Sequence, residues 1–106
     1  MPKYLLQATY TSEGLKGLAK EGGSKRRAAV QKATEQLGGK LEAFYYAFGE
    51  ADVYVIVDLP DAATASALSM AVNAAGTVKL RTTPLLTVEE VDSAITKNVS
   101  YRAPGT

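Results

Sequence analysis

The sequence predicts an α+β domain in which four strands and two main helices follow one another as β-α-β-β-α-β, with one more helix at the C-terminal end. Three observations carry that expectation. The segment LEAFYYAFGEADVYVIVDL, Leu41 to Leu59, reads as two strands of β-branched and aromatic residues around a Gly-Glu-Ala-Asp turn. Stretches with helical spacing of apolar residues flank that hairpin on both sides. Two further strand-like segments, YLLQATY and TVKLRTTPLL, lie outside the helices.

Taken in order, Tyr4 to Tyr10 is the first strand, and Thr11 or Ser12 caps the helix that follows, with Glu13 favourable near its N-terminus. The helical segment runs to about Leu37, where Gly38-Gly39 stops it. Lys40 to Phe48 is the second strand and Val53 to Leu59 the third. Pro60 ends the third strand and Asp61 caps a helix from Ala62 to about Ala75, closed by Gly76. Thr77 to Leu86 is the fourth strand, with Pro84 where a proline suits an edge or a strand terminus. Thr87-Val88-Glu89-Glu90 is a capping box for the last helix, and residues 98–106 form an extended tail. The order is the split βαβ, or ferredoxin-like, pattern: an antiparallel sheet with two helices on one face. The whole of 1–106 is expected to be a single domain.

Composition excludes several chemistries. There is no cysteine and no histidine, so disulfides, thiol nucleophiles, imidazole metal sites and Ser-His-Asp triads are all ruled out. No cofactor and no metal site is expected. The net charge of +1 lacks the electrostatic footprint of a nucleic-acid binder. The start, MPKYLLQATY, has too short an apolar segment for a signal peptide, and no apolar run is long enough to span a membrane. The expected location is the cytoplasm, with no nucleic-acid or membrane partner.

The hairpin strands carry apolar residues on both faces. Val53, Val55, Val57 and Leu59 alternate with Tyr54, Ile56 and Asp58; Leu41, Ala43, Tyr45 and Ala47 alternate with Glu42, Phe44, Tyr46 and Phe48. Two helices cover only one face. A set such as Phe44, Tyr46, Phe48, Tyr54 and Ile56 therefore needs another cover, and a second copy of the chain packing sheet to sheet is the expected one, giving a homodimer or a higher homo-oligomer. The alternative is that the last helix folds back over that face.

The stretch KEGGSKRRAA, Lys20 to Ala29, interrupts the first helical segment. An unbroken helix from Ser12 to Leu37 would be about 39 Å long, against about 25 Å for the strands beneath it. Gly22-Gly23 is therefore expected to break the helix, with Ser24 capping the restart. The spacing does not fit a phosphate loop. Lys25 and Arg27 read as a solvated face. Arg26, four and seven residues before Val30 and Ala33, falls on the apolar stripe and is expected to pair with Asp52 or to face a ligand.

The segments EGGSKRRAAV, LGGKLEAFYYAFGEADVYVIVDLPD and TVKLRTTPLLTVEEV together resemble the GYD-domain family, small bacterial and archaeal proteins related to the dimeric α/β-barrel group. The family's Gly-Tyr-Asp signature falls at the hairpin turn, where Gly49 and Asp52 match and Ala51 stands in place of the tyrosine. The resemblance implies a ferredoxin-like protomer whose sheets pack face to face in an oligomer. It implies no established reaction.

Two functions of different class follow. The first is binding of a small metabolite or aromatic ligand in the cleft between sheet and main helix, with Tyr4 or Tyr10, Arg26, Asp52 and Tyr54 as candidate ligand-binding residues. The second is a cofactor-free enzyme, monooxygenase- or isomerase-like, in which Asp52, Tyr54 or Lys79 moves protons. A closed core in place of the cleft would leave only an oligomeric scaffold.

Overall fold

Strand β1 (Lys3–Tyr10), helices α1 (Ser12–Glu21) and α2 (Gly23–Gln36), strands β2 (Lys40–Tyr46) and β3 (Val53–Asp58), helix α3 (Ala62–Ala75), strand β4 (Val78–Leu85) and helix α4 (Val88–Ile95) follow one another along the chain. The structure is a computed structural model describing residues 1–106. All strand pairs are antiparallel, and the sheet order β2-β3-β1-β4 is the ferredoxin-like one that the sequence predicts. The edge position of β4 explains how Pro84 is tolerated inside a strand.

The helix starts follow from local chemistry. Thr11 accepts from the Gly14 amide at 3.2 Å, and Asp61 accepts from the Thr64 amide at 2.8 Å. Thr87 and Glu90 complete the reciprocal capping box, at 2.9 and 3.0 Å. The break at the glycine pair is real: Gly22 has φ +95°, a conformation that favours glycine, and α2 begins at the next residue. Ser24 does not cap it. It lies inside α2, two residues past the N-cap position at Gly22, and no side chain caps this helix. The position is held from outside instead, by the Tyr46 phenol donating to the Gly23 carbonyl at 3.1 Å.

The core lies between the sheet and the helices. Tyr4, Leu6 and Ala8 of β1, Val53, Val55 and Val57 of β3, Leu59, Ala65 and Leu80 form one buried cluster. Asn73 ties α3 to the edge strand. Its side-chain amide accepts from the Leu80 N–H at 2.7 Å and donates to the Leu80 carbonyl at 3.1 Å, standing in for a neighbouring strand.

Simple alternation in β2 does not hold. The register runs Leu41↔Val57, then Ala43↔Ile56 and Phe44↔Val55, so an extra residue enters at Glu42. Beyond that bulge Phe44 and Tyr46 pack against the core, while Ala43 and Tyr45 share the other face with Ile56 and Tyr54. The expected five-residue patch of Phe44, Tyr46, Phe48, Tyr54 and Ile56 is therefore divided between the two faces. The face away from the helices carries Leu5, Ala43, Tyr54 and Ile56, bordered by the Arg81–Gln7 hydrogen bond and by Lys3 bridging Asp58 and Glu42. Helix α4 does not fold back over it. None of its residues is buried, and Val88, Val91 and Ile95 are exposed.

Helix α1 is pressed onto the end of β1 at Gly14, where a Cβ would stand 2.1 Å from the Thr77 carbonyl oxygen and 2.9 Å from a Tyr10 ring carbon. At Gly17, one turn on, a Cβ meets nothing within 4 Å. Gly14→Ala is expected to destabilise the protein by about 1–3 kcal/mol through overpacking. Gly17→Ala should stabilise it by about 0.4–1 kcal/mol through the unfolded chain. Urea unfolding of the two variants tests the pair; equal midpoints would contradict the close approach at Gly14.

Candidate functional site

The position of the helices makes a trough. Helix α2 packs over β2 at one edge of the sheet and α3 packs over β4 at the other, so the central strands β3 and β1 are left as a floor between them. The floor residues are Leu6, Ala8, Val53 and Val55. One wall is Ala29, Val30 and Ala33 of α2 with Phe44, and the other is Leu68 and Val72 of α3 with Val78 and Leu80. The cavity between them, open on one side, measures about 130 Å³. Thirteen of its 14 lining residues are hydrophobic and the other is Arg26.

Tyr10 lines one end of this cavity beside Arg26, and both residues also border a crevice formed by Glu13, Gly14, Gly17, Leu18 and Glu21 of α1 with Thr77 and Val78. The end of the cavity is thus a small polar group in an apolar trough. Burial pushes the Tyr10 phenol up to about 12, helped by the neighbouring Tyr46 and opposed by the Arg26 guanidinium. Tyr46 is raised too, chiefly by burial, with Tyr10 and Arg26 opposing. Both phenols are therefore neutral donors across the ordinary pH range. Tyr46 belongs to an aromatic row on β2, edge-on to Phe44 at 5.2 Å and stacked on Phe48 at 5.9 Å. Phe48 has φ +57°, uncommon for a bulky residue, in the connection between β2 and β3.

The four residues singled out from the sequence are not brought to one place. Arg26 lines the cavity. Tyr4 is buried in the core, and it is Tyr10, the other tyrosine on that side of β1, that reaches the cavity. Tyr54 is on the opposite face of the sheet, paired across the strands with Tyr45 and Gln7. Asp52 holds the hairpin to β1. Its carboxylate accepts from the Tyr10 amide at 2.8 Å, and its own N–H donates to the Ala8 carbonyl at 2.8 Å. The expected Arg26–Asp52 ion pair is not formed. Arg26 approaches Glu21 instead, at 3.7 Å, because the bend at Gly22 puts that carboxylate next to the first turn of α2. Lys79, named as a proton carrier, is an exposed residue of β4 paired with Thr9. The phenol of Tyr46 was not among the expected site residues; alternation resumes after the bulge, but with Phe44 and Tyr46 turned to the same face as Leu41's partner Val57 and the core. Ala51, at the signature position, is 1% exposed, so the hairpin closes over it with no room for a larger side chain without rearrangement.

No three carboxylates converge in the chain to hold a metal ion, and no helix is long and apolar enough to cross a membrane.

A ferredoxin-like α+β domain with an apolar trough between its helices is the class that fold and site define. Within it, the chain belongs to the GYD domain family, whose model matches residues 4–95. Comparison with curated proteins and with solved structures returns no match.

Asp52→Ala leaves the Tyr10 amide without its acceptor and should cost about 1–3 kcal/mol, whereas Asp52→Asn keeps an acceptor and should cost less. Equal losses by urea unfolding would mean that charge, and not the hydrogen bond, is what matters there.

The raised Tyr10 pKa has a definite sign. Between its ordinary value of 10.0 and about 12 the unfolded chain has lost the phenolic proton that the folded chain keeps. The stabilisation is therefore complete below pH 10 and is lost as pH climbs toward 12. Tyr10→Phe should flatten that alkaline decline and remove a late-ionising component from the ultraviolet tyrosine titration. Arg26→Gln should move the same component higher. A titration in which no tyrosine ionises late would contradict this environment.

Proposed function

We propose that the protein binds a small metabolite or aromatic compound in the trough between α2, α3 and the sheet, and that it does so as a homodimer or larger homo-oligomer. The observation that carries the binding reading is the cavity itself: a partly open apolar cleft with one charged side chain at its end, the usual make-up of a small-molecule site. Binding is favoured over catalysis because the lining offers Arg26 and the Tyr10 phenol but no carboxylate or other ready proton acceptor. Asp52, the base considered from the sequence, is committed to the Tyr10 amide.

Surface area supports the assembly. A compact monomer of this mass, 11.2 kDa, exposes about 5,700 Å², whereas this chain exposes 7423 Å². The surplus of roughly 1,700 Å² exceeds the ~800 Å² per partner of a standard interface and suits an obligate one. The radius of gyration, 16.9 Å, is well above the ~13 Å of a compact domain of about 100 residues. Much of the surplus lies in α4, with its exposed Val88, Val91 and Ile95, and in the exposed residues 96–106 that follow it, Val99 and Tyr101 among them. The sheet face bearing Leu5, Ala43, Tyr54 and Ile56 is half-buried and adds an apolar surface that no helix covers. A second copy of the chain offers each of these surfaces the other, or its own counterpart.

Sedimentation of the purified protein tests the assembly. The expected result is a dimer or a multiple of dimers, with Ile56→Lys giving monomer or insoluble protein. A wild-type monomer at micromolar concentration would sink the reading.

A further inference from the structure

The trough also indicates which kind of small molecule it takes. We propose that its ligand is an amphipathic anion: a carboxylate on an apolar body whose buried part is about the size of a single aromatic ring or a short aliphatic chain. This rests on the trough being a binding site and adds the ligand's size, charge and orientation.

Size comes from the volume. An engineered apolar cavity of about 150 Å³ stays dry and takes up benzene. The cavity here measures about 130 Å³ and is walled by side chains such as Val30, Val55 and Leu68. A body of about six carbon atoms fills it, and a larger one would extend past the open side of the trough.

Charge comes from Arg26, the single charged lining residue. Its one charged contact is Glu21 at 3.7 Å, beyond hydrogen-bond length, so the donors of the guanidinium fork remain free for an acceptor inside the trough. A guanidinium suits a carboxylate because it offers two parallel N–H groups to two oxygens. Tyr10 stands beside it as a neutral phenol and brings a further donor without bringing a competing negative charge. A cationic ligand would meet the like charge of the half-exposed Arg26 at the end of the trough and be disfavoured. A neutral one would gain the apolar contact only. The ligand lies with its ring or chain over Val55 and Leu6 and its carboxylate toward Arg26 and Tyr10.

The test is a comparison of benzoate with benzyl alcohol, which share a ring and differ in charge, each titrated into the full-length protein and followed by methyl NMR of Leu6, Val30, Val55 and Leu68. The expected result is that both shift these methyls, with benzoate bound at least about tenfold more tightly. In Arg26→Gln the benzoate advantage should vanish while benzyl alcohol binding stays as it was, and Arg26→Lys should keep part of the advantage. Equal affinity of the two compounds for the wild type would overturn the anion preference and leave the trough as a neutral binding site. A benzoate preference that survives in Arg26→Gln would overturn the role given to Arg26. If neither compound moves the trough methyls, the binding reading itself fails and this inference falls with it. Because the wild-type comparison alone decides the charge preference, the result does not depend on either variant folding.

Discussion

One extra residue in β2, between Leu41 and Ala43, decides what every aromatic side chain of that strand meets. Without it, strict alternation would put Ala43 and Tyr45 on the same face as Leu41, and Phe44 and Tyr46 on the other. With it, Phe44 becomes part of the trough wall and Tyr46 reaches the Gly23 carbonyl. That hydrogen bond ties the first turn of α2 to β2, while the positive φ of Gly22 sets where the helix starts. The start of α2 in turn sets the direction of its first turn, and with it the position of Arg26 at the end of the cavity. The chain of dependence runs from backbone register to the first turn of α2 to the one charged group in the trough.

The same residue explains which parts of the fold were legible in the sequence. The element order was, because each boundary carries its own local chemistry: Thr11, Asp61 and Thr87 accept from the amides that helix starts leave unpaired, and Gly22 and Gly76 adopt the positive φ that ends a helix. The allocation of side chains to faces in β1 and β3 was legible too, because those strands have no irregularity. It failed in β2, where the bulge carries no sequence mark: Glu42 is a polar residue that would suit the outward face in either register. The candidate site inherited that failure in part. Tyr54 could have been assigned to the open face by parity with Ile56, and Tyr10 to the trough by parity with Leu6 and Ala8. The Arg26–Asp52 pairing was a different kind of error. Sequence counting treated both as groups in search of a partner, but the bend at Gly22 gives Arg26 a local carboxylate in Glu21, and the strand end gives Asp52 an amide.

The sheet is also the layer through which the trough and the proposed oligomer interface would communicate. Leu6 and Val55 form the floor of the cavity, while Leu5 and Ile56, their neighbours along β1 and β3, form the centre of the uncovered face. Side chains alternate along a strand, so any force that flattens or twists the sheet at Leu5 and Ile56 is felt one residue away at the floor. An isolated protomer has the helices on one side of this layer and water on the other. Its sheet is supported from one side only, and the walls of the trough, α2 and α3, stand on its two outer strands. Pairing of sheets would stiffen the layer that holds those walls apart. Assembly would then favour a cavity of fixed width, and a ligand filling that cavity would favour the sheet curvature that the assembly needs, each stabilising the other by the same free energy.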